Sequence, residues 1–343
     1  MIRWTNRHKL FAHLARMDGW RRGKCPAPVT VEYDLSNRCP VHCEWCAFAA
    51  LRTNRPETAE TATCGDLADP DVVMRALGEM ADAGVRGVVW SGGGDPLMHP
   101  QWTEIVGYAG SVGLQQGMYT SGVMLTPFTA DRLAEALIWV VVSLDALTAD
   151  DYATAKGSNT TCFTAACRTI RRMADKTTVG VSFLLHAGTW RQAPAMRDLA
   201  RFLGATYSVF RPMILPDSPP ADREWITDAL PLLRELAQEA DVEVDPDRFV
   251  AYRDWVGRDY LACYGIRFTT VVTPDGRVWV CCQRRGLADS CLGDLTTESF
   301  MGIWARHPGR WTDFSQCRPM CHGDGLNHVL DAVYATHPHE AFV

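Results

Sequence analysis

The sequence predicts an α/β fold: a parallel sheet covered by helices, followed by a small C-terminal domain bracketed by cysteines. Between residues 70 and 210, short apolar runs alternate with amphipathic stretches, the rhythm of successive strand–helix units. Three cysteines crowd into the eight residues Cys39-Pro40-Val41-His42-Cys43-Glu44-Trp45-Cys46, directly after the first strand-like run. A proline-containing break at residues 215–220 precedes a Pro274-Asp275-Gly276 hairpin signal with cysteines on both sides.

At 343 residues the chain can bury a substantial core. With 34 Lys plus Arg against 40 Asp plus Glu, the net charge of −6 gives no electrostatic case for a nucleic-acid partner. Arg3, Arg7, His8 and Lys9 have no long apolar stretch behind them, so neither a signal peptide nor a membrane span is expected. Thirteen cysteines without a secretory signal point to metal ligation in a reducing, cytoplasmic compartment.

The layout expected is an N-terminal helical extension (1–27), the α/β core (28–215), a helical linker (216–258) and the cysteine-bracketed domain with a terminal helix (259–343). A helix over 5–17 would place Leu10, Phe11, Leu14 and Ala15 on one side. Strand 29–35 leads into the cysteine loop, and 53–68, including Cys64, reads as loop. Helices are expected at 71–83, 100–110, 126–136, 160–174 and 190–203, the first closed by Gly84. Strands are expected at 85–90, 114–119, 137–144, 178–185 and 206–210. Such apolar strands form parallel sheets whose functional residues gather at the strand C-termini. Past the break come helix 224–239, a less regular stretch at 242–258, strands 268–273 and 278–281, and helix 329–334. Cys25, Cys162 and Cys167 read as spare or buried thiols.

Soft, closely spaced thiolates select zinc or an iron–sulfur centre. Structural zinc normally takes four protein ligands, whereas three in one loop leave an open position. The Cys-x3-Cys-x2-Cys pattern resembles that of radical S-adenosylmethionine (SAM) enzymes. The resemblance implies a 4Fe–4S cluster on Cys39, Cys43 and Cys46 whose fourth iron chelates SAM, with Trp45 as the usual aromatic before the last cysteine. Ser91-Gly92-Gly93-Gly94-Asp95-Pro96 resembles the Gly-Gly-Glu-Pro motif that contacts the SAM amino group, with Asp95 standing for Glu. Ser121 and Ser143 match strand-end positions that contact SAM. Asp145 is then placed to face substrate, Lys156 borders the pocket, and Arg191 and Arg211 are cations available to SAM or substrate. The six strands resemble the partial (β/α)6 barrel of that family.

Cys263, Gly276 and Cys281 resemble the opening of the SPASM and Twitch domains. Cys263, Cys281, Cys317 and Cys321 match the four ligands of one auxiliary 4Fe–4S cluster in the shorter Twitch form, with a zinc site as the rival. Cys282 and Cys291 are left over, Cys282 being a candidate hydrogen donor to a substrate radical. Asn327 and His328 resemble a recurrent Twitch ending.

The resemblance implies a 5'-deoxyadenosyl radical that takes hydrogen from substrate, with flavodoxin or ferredoxin as electron source. Within the SPASM/Twitch group the chain resembles aminocyclitol- and aminoglycoside-modifying dehydrogenases and epimerases. The substrate expected is therefore a small polar sugar or aminocyclitol in natural-product biosynthesis, met by Asp145 and Glu44 and most simply dehydrogenated at an alcohol. Epimerisation, elimination from a nucleoside sugar acid and peptide modification are the alternatives. Peptide modification ranks lower because 27 residues before the first strand are too few for a leader-recognition domain.

Overall fold

The computed structural model describes residues 7–54, 64–214, 220–317, 321 and 323–334. The start of the first expected helix, most of loop 53–68, Pro216 and Pro219 of the break, and the chain end from 335 lie outside the described residues.

Among the described residues ten strands form one continuous sheet: β1 Thr30–Asp34, β2 Gly87–Ser91, β3 Gln115–Thr120, β4 Trp139–Ser143, β5 Thr178–Leu185, β6 Tyr207–Pro212, β7 Val242–Val244, β8 Thr269–Val272, β9 Arg277–Trp279 and β10 Cys291–Asp294. Their order is β10-β9-β8-β1-β2-β3-β4-β5-β6-β7. From β8 through β1 to β7 every pairing is parallel, whereas β8–β9 and β9–β10 are antiparallel. The expected hairpin therefore does not stand apart. Its first strand pairs with β1 and carries the sheet on into the C-terminal region.

The helices are α1 Leu14–Arg21, α2 Pro70–Asp82, α3 Trp102–Ser111, α4 Pro127–Ala136, α5 Ala149–Ala155, α6 Thr160–Met173, α7 Ala193–Phe202, α8 Trp225–Leu236, α9 Pro246–Arg253, α10 Phe300–Trp304 and α11 Asp324–Tyr334. Local chemistry sets where several begin. Asp69 caps α2 ahead of Pro70, Asn159 caps α6, and Thr126 forms a capping box with Thr129 ahead of Pro127 at α4. The central residues of β4, Val140, Val141 and Val142, are all buried, as a strand covered on both faces requires. The main core packs Leu77, Met80, Ile105, Leu133 and Ile170 from the helices against Val31, Val88, Val140 and Val181 from the sheet. At the other end of the chain, Leu10 and Met17 of the N-terminal segment share a smaller core with Phe268 and Leu330. Among the described residues no helix is long and apolar enough to cross a membrane.

Candidate functional site

The C-terminal ends of the central strands open on a cavity of about 280 Å³. Its wall includes Cys39, Cys43 and Cys46 from the loop after β1, Gly92, Gly93, Gly94 and Asp95 after β2, and Ser121 after β3. Ser143 ends β4 and Arg211 lies near the end of β6. The sequence motifs thus meet at one place because the parallel sheet puts every strand C-terminus on one side.

The glycine run is dictated by the cysteine loop lying against it. A Cβ on Gly94 would stand 2.0 Å from the Arg38 carbonyl oxygen, and one on Gly93 would stand 2.2 Å from Asn37 Oδ1. Gly94 N–H donates to Ser36 O at 3.0 Å and Asp95 N–H to Arg38 O at 2.7 Å. These glycines serve the close approach of two backbones, and side chains larger than hydrogen have no room there. Arg52 reinforces the contact, donating to Val41 O at 2.8 Å and Gly93 O at 3.1 Å.

Asp95 is buried and its carboxylate is used as a brace. It accepts from Leu97 N–H at 3.0 Å, Thr120 Oγ1 at 3.0 Å, Ser121 N–H at 2.8 Å and Ser121 Oγ at 2.6 Å. The carboxylate therefore ties the end of β2 to the end of β3. At the end of β4, Asp145 adopts a left-handed backbone with φ of 57° and is buried. It accepts from Ser143 Oγ at 2.8 Å and Leu184 N–H at 2.7 Å, and pairs with Lys156. Lys156 Nζ also donates to Ser143 Oγ at 2.9 Å. Burial alone would lower the Lys156 pKa, but the Asp145 carboxylate and Cys43 thiol beside it reverse that and hold the ammonium above its usual range. Burial pushes the Cys39 thiol up to about 12 and also raises Cys43, where Lys156 opposes it.

Not every expected residue reaches the cavity wall. Trp45 is half-buried but does not line it, and Arg191 is exposed with its guanidinium 4.2 Å from the centre of the Trp190 ring. Asp145 acts on the wall through Ser143 and Lys156. Glu44 is exposed. Cys282 does not line the cavity; it is buried in an apolar cluster with Leu51, Cys64, Val271 and Trp279, against which the wall residue Phe48 packs. Sequence reading missed Arg52, Tyr119, Ser182 and Leu184, which also line the cavity. The alternation of β3 and β5 offered a signal for the last three, since inward-facing residues recur at every second position.

The second cysteine group lies around β8, β9 and the stretch before α11. Cys281 is close enough to feel the charges of Cys263 and Cys317, and Cys321 that of Cys263. Burial pushes Cys281 up to about 11 and Cys321 up to about 12. Asn327 donates to Cys263 Sγ at 3.1 Å. Between the two groups Arg285 is fully buried. It pairs with Asp34 and Glu32 of β1, donates to Cys282 O at 2.9 Å and lies 4.3 Å from the centre of the Phe48 ring.

Among the described residues no three His, Cys, Asp or Glu side chains are close enough to hold a single metal ion. Three thiols facing a cavity beside a cradle of glycines, and a second set in which Cys281, Cys317 and Cys321 each lie near Cys263, are donor sets that suit larger iron–sulfur clusters.

The Radical SAM superfamily model matches residues 33–200, and that of the iron–sulfur cluster-binding SPASM domain matches residues 263–323. A PqqA peptide cyclase of Methylobacterium sp. (strain 4-46) is 27% identical over 298 residues, covering 82% of this chain and 74% of the relative. That of Methylorubrum populi is 28% identical, covering 84% and 78%, and that of Streptomyces rochei is 33% identical over a shorter 183 residues, covering 52% and 46%. Among solved structures, Streptococcus suis SuiB bound to precursor peptide SuiA has a TM-score of 0.65 at 13% identity, covering 89% of this chain and 71% of that one. At that identity it speaks for the fold alone.

The curated relatives overturn the expected resemblance to aminocyclitol and aminoglycoside enzymes, and with it the sugar-like substrate and the alcohol dehydrogenation. The reason is physical. The cysteine and glycine motifs handle a cofactor common to the superfamily, so they say nothing of what else enters the cavity. Fold, cavity and thiol groups agree on the coarser identity: the chain is a radical SAM enzyme, an α/β radical SAM core followed by a small C-terminal SPASM/Twitch-like iron–sulfur domain.

Proposed function

We propose that this enzyme modifies a peptide, forming a new bond within it after hydrogen abstraction. The observation that carries the reading is the run of PqqA peptide cyclases matched over most of this chain and most of their own length. In this reading Cys39, Cys43 and Cys46 hold the SAM-binding 4Fe–4S cluster, and Cys263, Cys281, Cys317 and Cys321 hold one auxiliary cluster. When reduced and bonded to SAM, the first cluster supplies a primary carbon radical able to take hydrogen from an unactivated C–H bond.

The chain's own residues fix the geometry. Backbone groups at Gly92 to Asp95, with Ser121, Ser143 and the Lys156 ammonium, hold SAM beside the cysteine loop. Asp145 keeps Lys156 charged and aimed at the cavity. Arg211, near the centre of the Tyr119 ring at 5.9 Å, offers the peptide a cation on the β6 side. Proximity within the cavity then decides which hydrogen is taken. All thirteen cysteines are thiols rather than disulfides, which suits a reducing, cytoplasmic compartment.

The test is anaerobic reconstitution with iron and sulfide, dithionite reduction, and incubation with SAM and a synthetic PqqA peptide alongside a pool of unrelated peptides. The expected result is 5'-deoxyadenosine, which carries off one hydrogen, together with a peptide lighter by two hydrogens, the second leaving as a proton to solvent and an electron to the auxiliary cluster. SAM cleavage with every peptide mass unchanged would overturn the peptide reading.

A further inference from the structure

Asn327 lies outside the SAM cavity, is fully buried, and spends every polar atom around the auxiliary cysteines. Its Oδ1 accepts from Tyr264 N–H at 2.9 Å and Gly265 N–H at 2.7 Å, which fixes the amide plane and its orientation. Its Nδ2 is thereby aimed at Cys263 Sγ, 3.1 Å away, with Tyr260 Oη at 3.4 Å. Tyr260 in turn donates to Asp324, and Arg258 donates to Tyr260 Oη at 2.9 Å and to Asp324 at 3.2 Å. A second donor reaches a neighbouring thiol: buried Arg284 Nη1 lies 3.8 Å from Cys317 Sγ. Nothing about packing demands an amide at position 327. An apolar side chain would fill the space, but it would take the Oδ1 acceptor from two backbone N–H groups and remove the one side-chain donor of the three groups that hydrogen-bond the sulfur, the others being the Gly265 and Ile266 backbone.

We propose that Asn327 is a positioning residue for the auxiliary cluster, acting through its N–H···S hydrogen bond to Cys263 to raise the cluster's reduction potential. The inference rests on the assignment of Cys263 as a cluster ligand. Reduction adds negative charge that is shared onto the ligating sulfurs, and a donor held against one of them stabilises the reduced form more than the oxidised form. Because Oδ1 is pinned by two backbone amides, the donor stays aimed at sulfur in both states and has little to reorganise.

The test uses the full chain carrying Cys39→Ala, Cys43→Ala and Cys46→Ala, so that only the auxiliary cluster gives a signal, with and without Asn327→Asp. Aspartate keeps the acceptor for Tyr264 and Gly265 and removes the donor, but it adds a charge. Asn327→Leu, which removes the donor without adding a charge, is therefore titrated beside it, and a shift in the aspartate variant with none in a loaded leucine variant overturns the inference. In an anaerobic redox titration followed by electron paramagnetic resonance, Asn327→Asp is expected to shift the midpoint negative. The reduced-to-oxidised ratio at the unsubstituted midpoint should fall about tenfold, about 59 mV for a one-electron couple. A loaded cluster with an unchanged midpoint overturns the inference alone. Absence of iron in the chain that keeps Asn327 overturns the ligand assignment, and the inference with it. A second measurement does not depend on the variant loading its cluster. In the chain that keeps Asn327, labelled with 15N-asparagine, pulsed resonance should detect a nitrogen coupling to the reduced cluster, and its absence overturns the hydrogen bond.

Discussion

Lys156 pairs with Asp145 in a contact from which water is almost excluded, their side chains being 3% and 1% exposed. The same lysine's backbone carbonyl accepts from His42 N–H at 2.7 Å, inside the cysteine loop. The pair therefore joins the end of β4 to the loop that carries the first three thiols. Lys156→Met would leave a buried carboxylate with no counter-charge, a loss of roughly 3–5 kcal/mol. Asp145→Asn would strand the ammonium in the same way, although Asn tolerates the left-handed backbone at that position. The double variant should be more stable than the sum of the single losses implies, because both charges leave together. Denaturant unfolding of all four chains measures this, and simple additivity would sink the account.

Gly94→Ala tests the backbone contact. The added carbon meets a carbonyl oxygen at 2.0 Å, and no side-chain rotation can relieve a clash with backbone. The loop carrying Cys39 would be displaced while the auxiliary cysteines stay in place, so iron and sulfide per chain should fall by half. Gly107→Ala in α3 is the contrast, since nothing lies within 4 Å of its added carbon. It should leave iron content unchanged and gain up to about 1 kcal/mol from helix propensity.

Arg285 yields a prediction about the joint between core and appendage. Its guanidinium faces Asp34 and Glu32 on β1, while its Nε holds the carbonyl of Cys282, the neighbour of Cys281. Arg285→Met would leave Asp34 buried without its cation, costing roughly 3–5 kcal/mol. Hydrogen exchange should rise first at β8, which pairs with β1 beside this contact, and at β9, which pairs with β8. Uniform loss of protection across the sheet would show that the arginine contributes only to global stability.

The core was legible because its strands are short apolar runs and its helices carry strong start signals, as at Asp69-Pro70 and Thr126-Pro127. The cysteine and glycine stretches were legible because their spacing is local. Long-range geometry was not. No local pattern tells that β8 pairs with β1, that Arg285 reaches Asp34 across 251 positions, or that Cys282 is buried in a cluster with Leu51, Val271 and Trp279. Helix α9 was passed over despite an Asp245-Pro246 start of the same kind as that of α2, because only Phe249 and Tyr252 of its eight residues are buried. Substrate class was illegible for a different reason: the cavity residues that would meet a substrate, such as Tyr119, Leu184 and Arg211, come from three separate strands with no shared motif.

His307 predicts a measurable acid sensitivity. Its ring is buried beside Trp304, with centroids 4.3 Å apart, and meets Trp20 edge-on at 5.6 Å, while Nδ1 accepts from Gly309 N–H at 3.0 Å. Burial, helped by the nearby Arg267 cation, lowers its pKa from 6.5 to about 3. Above pH 6.5 the ring is neutral folded or unfolded and contributes no pH dependence. As pH falls from 6.5 towards 3, only the unfolded chain takes up this proton, so stability declines throughout that window. At pH 5 the loss from this one group is about 2 kcal/mol, from a shift of 1.36 kcal/mol per pKa unit. His307→Asn keeps an acceptor for Gly309 and cannot be protonated. Between pH 7 and pH 5 the unsubstituted protein should therefore lose about 2 kcal/mol more than the variant in denaturant unfolding of the anaerobic, cluster-loaded chains. Parallel pH profiles would mean that the ring is charged in the folded state, and the buried, neutral assignment would have to be abandoned.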